Sequence, residues 1–208
     1  MKKLEYGRSM IEMLGVLAII GVLSVGAIAG YQKAMMKYKL NKQTQQIGSI
    51  LDYVHVHLNE FKKDKVNIRG NMEALLTKLG IIPKEMVKKG RIYDVFGNQI
   101  ILQNYFGESS DGMYFFELIN LLNSNASEEI CMNLFQIAKL RSSYLTRAVF
   151  NEYDSTERLV FTGDNYPYSS SSEGKHIKDA SLADFKNACD ACIKKSSGTC
   201  VFYFQEQL

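Results

Sequence analysis

Glu12 is the residue whose position demands chemistry. It lies in MIEMLGVLAIIGVLSVGAIAG, Met10 to Gly30, a run of apolar residues and glycines that only Glu12 and Ser24 interrupt. A hydrocarbon core about 30 Å thick is spanned by roughly 20 such residues in a helix. An ionised carboxylate inside it costs about 3 kcal/mol or more, so it is functional by default and needs a counter-charge. The other chemically able residues are Cys131, Cys189, Cys192 and Cys200. Cys189-Asp190-Ala191-Cys192 has redox-pair spacing but lacks the strand–helix–strand frame of a thioredoxin-like site. A zinc knuckle would need two more close ligands, for which Cys200 and the remote His176 are poor candidates. His55 and His57, at i and i+2, do not share a helix face and make no metal pair. Asp154, Glu157, Asp164 and Glu173 are too scattered to form a calcium loop. Structural bridges are therefore the reading for the cysteines, and an even count in a chain predicted to cross a membrane supports it. Three connectivities exist, and spacing alone leaves them open.

No Gly-rich phosphate loop follows a strand, and neither Gly-x-Ser-x-Gly nor His-Glu-x-x-His occurs. With three scattered histidines, acid–base catalysis has few candidates. The sequence predicts no enzyme, no catalytic residue, no metal and no cofactor. The 208 residues carry 25 basic and 22 acidic side chains, a net charge of +3. That near balance gives no electrostatic case for nucleic acid. A hydrophobic share of 46% with 23% charged residues is globular composition, so the chain is not low-complexity. The length suits one domain plus a substantial extra element.

The element that must position Glu12 is a membrane helix. Lys2, Lys3 and Arg8 precede the apolar run, with Glu5 the only acid among them. That bias holds the short N-terminal flank in the cytoplasm and sends the long C-terminal part across. A cleaved secretory signal, cut near Ala27-Ile28-Ala29, is one alternative. A plain signal anchor is another. Neither explains the acid.

Gly7-Arg8-Ser9-Met10-Ile11-Glu12, behind Lys2 and Lys3 and ahead of an unbroken apolar helix, resembles the class III signal of type IV pilins and pseudopilins. The resemblance implies a leader, 1–7, cut between Gly7 and Arg8 by a membrane-embedded prepilin peptidase that also methylates the new amine. Glu12 is then the fifth mature residue, the family's acidic position. Its implied partner is the freed α-amine of Arg8 on a neighbouring subunit, which turns a costly buried carboxylate into a register pin. The chain departs from the family at Arg8, where Phe or Met is usual. It also has no proline before Pro83, so any bend must rest on glycine. Gly26 and Gly30 form GxxxG, which lets helix backbones approach closely for assembly. Glycine is also simply common in membrane helices.

Beyond Gly30 the chain stays helical by pattern to about Lys63. Ile47, Ile50, Leu51, Val54, Leu58 and Phe61 make one buried stripe. A spine over 8–63, roughly 80 Å long at 1.5 Å per residue, is expected to carry a globular domain over 64–208. Lys33, Lys37 and Lys39 follow the apolar run and suit headgroups or neighbouring subunits. In the domain, Asn71 is read as the cap of a helix to Leu79 that Gly80 stops, and Pro83 opens a turn over 84–88. Strands are expected over 91–95 and 99–104, joined by Phe96-Gly97-Asn98, and over 113–119 after the Ser109-to-Gly112 turn. Ser127 is expected to cap a helix to about Ser142. Strands 147–151 and 158–162 flank Asp154-Ser155. The stretch 166–174 reads as a loop within 163–179, a guess for the exposed face. Ser181 caps a helix to about Lys194, and Cys200 to Phe204 closes as a strand.

This order resembles the b class of type IV pilins, on Gly80 to Pro83, Gly97, Tyr114 to Ile119, Glu128-Glu129-Ile130-Cys131, and Cys189 or Cys192 before Val201 to Phe204. The implied fold is α+β, a twisted antiparallel sheet packed on the C-terminal half of the spine helix. The resemblance implies that Cys131 pairs with Cys192 or Cys189. The preferred set is Cys131–Cys192, with Cys189–Cys200 closing a small loop. The implied function is a prepilin, polymerised through its N-terminal helices into a homopolymeric surface filament for adhesion, aggregation or motility. Heterologous association that does not close gives filaments. The implied partners are the prepilin peptidase, the inner-membrane assembly machinery and, before assembly, the bacterial inner membrane, which the chain leaves for an extracellular pilus. A pseudopilin of a type II secretion system and a signal-anchored binding domain are the alternatives.

Overall fold

The computed structural model describes residues 10–63, 72–106, 114–123, 126–152, 158–165, 175–194 and 199–207. Gly7, Arg8 and Asn71 lie outside them, as do the Ser109-to-Gly112 and Asp154-Ser155 turns, the 166–174 stretch and the Phe61 side chain. The chain divides into two units, Met1–Lys39 and Leu40–Leu208. The described part of the first unit is helical throughout.

Helix α1, Met10–Val56, enters the second unit at Leu40. There its apolar positions recur at i, i+3, i+4 and i+7. Ile47, Ile50, Leu51 and Val54 are accordingly fully buried, each burial contributing about 1.5–3 kcal/mol as an upper figure. The spine does not run unbroken to Lys63. α1 ends at Val56, and α2, Leu58–Lys63, begins after a break at His57. The cause is local. The Tyr53 carbonyl accepts both the His57 backbone N–H at 3.1 Å and the His57 ring at 2.9 Å, with Nδ1 carrying the proton because a carbonyl only accepts. A side chain that competes for a backbone carbonyl favours a helix end.

The rest of the unit is one sheet on one helical layer. α3 is Glu73–Lys78, and Gly80, at φ +74°, stops it as expected. A 3-10 turn at Lys84–Met86 replaces the expected turn over 84–88, because Val87–Lys88 is already strand β1. The remaining strands are β2 Arg91–Tyr93, β3 Gln99–Phe106, β4 Tyr114–Leu122, β5 Arg147–Glu152, β6 Arg158–Thr162, β7 Lys175–His176 and β8 Cys200–Gln207. Their order across the sheet is β1-β2-β3-β4-β8-β5-β6-β7. All pairs are antiparallel except β6–β7. The closing strand thus sits at the centre, between β4 and β5.

Alternation decides which sheet face meets the helices. Ile100 and Leu102 on β3, Phe116 and Leu118 on β4, and Phe202 and Phe204 on β8 are fully buried. They join the α1 stripe, α4 (Glu128–Lys139) and α5 (Leu182–Lys194) in one core. Phe135 of α4 is its hub. It stacks on Phe150 and Phe185 and meets Phe161 and Phe202 edge-on, with centroids 4.3–5.2 Å apart. Such pairs add about 0.5–1.5 kcal/mol each beyond area. Ser127 occupies the α4 N-cap position but makes no capping bond through its side chain. At α5, Ser181 does cap: Asp184 N–H donates to Ser181 Oγ, and Ser181 N–H and Oγ–H donate back to Asp184 Oδ2. This is a capping box with Asp in the acidic place.

Candidate functional site: an uncovered apolar helix

Glu12 lies on α1, two residues past Met10, where the described chain begins. Every large apolar side chain from Met10 to Ile28 that surrounds or follows it is 51–83% exposed. Ordinary soluble surfaces do not carry an apolar patch of that extent, and one that large marks a membrane or protein contact. This is the one described helix long and apolar enough to cross a membrane. Ser24, its other polar side chain, donates to the Ile20 carbonyl at 2.7 Å. A hydroxyl satisfied within its own helix is tolerable in hydrocarbon. A Cβ added at Gly15, Gly21, Gly26 or Gly30 meets nothing, so these positions leave shallow notches for another helix. What this surface can do is bury itself, in lipid or against copies of itself.

Farther along, two polar clusters fasten α1 to the globular unit. The first surrounds Asp94, which is 4% exposed. Its Oδ1 accepts the backbone N–H groups of Phe96 and Asn98, both at 2.9 Å. Its Oδ2 accepts Gln43 Nε2 at 2.7 Å, Asn98 Nδ2 at 3.0 Å and Asn120 Nδ2 at 3.3 Å. Gln43 Oε1 in turn accepts Asn133 Nδ2 of α4, and Gln46 Oε1 accepts the Val95 N–H. Donors on both oxygens let a carboxylate stay buried, and the same bonds tie α1, the β2–β3 turn, β4 and α4 together. The expected strand over 91–95 stops at Tyr93 for this reason, since Asp94 folds the chain around its own side chain. Gly97, at φ +83°, completes the turn in a conformation glycine accepts at least cost.

The second cluster lies near the end of α1. Asp52 takes Arg141 Nε at 2.9 Å, Arg141 Nη2 at 2.8 Å and Tyr144 Oη at 2.6 Å. Gly48 makes room for it, because a Cβ there would collide with the Arg141 guanidinium. Burial pushes the Asp52 carboxyl up, but the Arg141 and Tyr144 hydrogen bonds outweigh it and hold it below the usual range. Burial, and then the bond to Asp52, push the Tyr144 hydroxyl well above its ordinary value. His55 stacks on Tyr144 with centroids 4.0 Å apart and meets Glu206 of β8 at 2.5 Å. Sequence reasoning missed both clusters. For the first, the readable signal was Asp94 with Gly97 and Asn98 after it. For the second, no local signal exists, because α1, the α4–β5 turn and β8 meet only in the fold.

The cysteines pair as Cys131–Cys189 and Cys192–Cys200. The preferred set, Cys131–Cys192 with Cys189–Cys200, is therefore corrected. α4 and α5 pack antiparallel, and Phe135, one turn after Cys131, stacks on Phe185, one turn before Cys189. That register puts Cys189 opposite Cys131. Cys192 faces the strands instead, its Sγ 3.5 Å from the Asn151 carbonyl oxygen of β5. Cys200, at the start of the neighbouring β8, is the partner within its reach. Among the described residues no group of acids, histidines and cysteines gathers as a metal site.

No protein-family model and no curated protein matches the chain. Among solved structures it is similar to the crystal structure of a type IVb pilin from Salmonella typhi. The identity is 15% and the TM-score 0.48, over 81% of this chain and 97% of that one.

Proposed function

We propose that the chain is a pilin-like structural subunit, made as a prepilin, cut between Gly7 and Arg8, and polymerised through α1 into a surface filament. The observation that carries this reading is Glu12, a carboxylate five residues past Gly7, at the head of an apolar helix that the chain leaves uncovered. A bilayer can cover the apolar side chains. Only a neighbour that brings a positive group, the freed amine of Arg8, also makes the acid useful. Packing of α1 against α1 is heterologous, so it propagates as a fibre instead of closing. The globular unit, fastened to the helix at Asp94 and Asp52, becomes the outer surface.

Glu12→Ala tests the reading. The variant is expected to reach the membrane fraction in normal amount and to enter no sheared surface fibre. Unchanged fibres would overturn the assembly role. Unchanged function without any fibre would favour a signal-anchored binding domain. Long extracellular fibres, as opposed to short envelope-bound ones, separate a pilus subunit from a pseudopilin.

A further inference from the structure

Between Glu12 and Asp52 the sequence contains no acid, yet it carries Lys33, Lys37, Lys39 and Lys42. Lys42 has a protein partner in Glu85, at 2.7 Å. Lys33 and Lys37 are exposed, and Tyr31 and Tyr38 beside them are 64% and 60% exposed. At 3.6 residues per turn these side chains do not form one face. Lys33 and Lys37 point one way, Tyr31 and Tyr38 lie about 130° round the helix from them, and exposed Gln32 and half-exposed Lys39 occupy the wider arc between. A protein partner reads a patch on one side, whereas a collar around the whole helix suits a layer that surrounds it. Tyrosine and lysine are also the residues that anchor a helix at a bilayer interface, with ring and stem in apolar contact and the polar tip in water.

The spacing has a second consequence. Tyr31 lies about 28 Å along the axis from Glu12 at 1.5 Å per residue, close to one hydrocarbon thickness of about 30 Å. We propose that residues 31–39 form a collar that gathers anionic phospholipid headgroups through Lys33 and Lys37, fixing the depth of the helix so that Glu12 sits at the opposite headgroup boundary. This rests on the membrane-anchored subunit described above. It also removes a difficulty. A carboxylate at the boundary reaches water and costs little there, so the subunit waits in the bilayer without penalty. The acid is buried only on assembly, when a neighbouring amine arrives.

The test uses the full chain, which contains no tryptophan, with Tyr31→Trp as the sole donor for energy transfer. It is reconstituted in phosphatidylcholine vesicles carrying a trace of dansyl-phosphatidylglycerol or of dansyl-phosphatidylcholine. Transfer to the anionic probe is expected to exceed transfer to the neutral one by roughly threefold at low salt, and to approach parity as salt screens the lysines. Adding Lys33→Gln and Lys37→Gln should bring parity at every salt concentration while the protein still floats with the vesicles. Equal transfer in the parent overturns the collar and leaves the anchored subunit standing. A preference that survives the double substitution overturns the assignment to these lysines. A preference that appears only at high protein-to-lipid ratio assigns the lysines to a second copy and overturns the headgroup reading. A chain that does not float with vesicles overturns the anchored subunit and the collar with it.

Discussion

Asp94 and Asp52 do different work, and their substitutions separate it. Asp94 is buried with hydrogen-bond donors on both oxygens. Asp94→Ala strands those donors, so a loss of about 3 kcal/mol is expected, read as a lower urea midpoint with an unchanged slope. Asp52 is more exposed, and its value lies in linkage to pH. A carboxyl held below its ordinary 3.8 contributes stability above that pH and loses it as pH falls through the lowered value. Tyr144 has the opposite sign. With its hydroxyl pushed above the ordinary 10.0, its contribution is intact below pH 10 and lost as pH rises beyond it. Tyr144→Phe should therefore flatten the alkaline limb of a stability–pH curve and, because the same hydroxyl helps hold Asp52 down, make the acid limb shallower as well. A variant that leaves the alkaline limb unchanged would contradict the assignment.

At the scale of elements, the helices and strands that a reader can find in the sequence are those whose pattern repeats. Ile47, Ile50, Leu51 and Val54 declare a buried stripe, and the structure buries all four. Ser181 announces α5, and β6, Arg158–Thr162, coincides with the strand expected over 158–162. What fails is what depends on a partner. β7, Lys175–His176, is too short to show any alternation and exists because β6 offers it an edge. The α1–α2 break depends on one histidine ring turning back to a carbonyl. The cysteine pairing depends on the α4–α5 register, which Cys189-Asp190-Ala191-Cys192 does not encode. Cleavage on the N-terminal side of Asp190 would part Cys189 from Cys192. Under non-reducing conditions the fragments should carry Cys131–Cys189 and Cys192–Cys200. With sequence separations of 58 and 8, loss of the first bridge should cost about 4 kcal/mol and of the second about 2.5 kcal/mol in the chain-entropy model.

The whole molecule combines two units with opposite solvent preferences. Among the described residues the unit from Leu40 onward holds every buried core residue, whereas the large apolar side chains from Met10 to Ile28 in the unit before it are exposed. A chain beginning at Leu40 is expected to remain soluble, monomeric and cooperatively folded, as sedimentation and denaturant unfolding would report. The full chain should require lipid, detergent or its own copies. The buried stripe of α1 was legible through its period and the apolar run through its unbroken length, whereas the α+β arrangement was reached only as what the resemblance implies. The proposal for what covers the run rests on Glu12 and Gly7, a spacing that acquires meaning if a neighbour supplies the charge. The most direct measurement is mass spectrometry of the amino terminus of this chain in sheared surface fibres. The account predicts a chain that starts at Arg8 with a methylated amine. A terminus at Met1 or beyond Ala29, or a fibre fraction that lacks this chain, would contradict it.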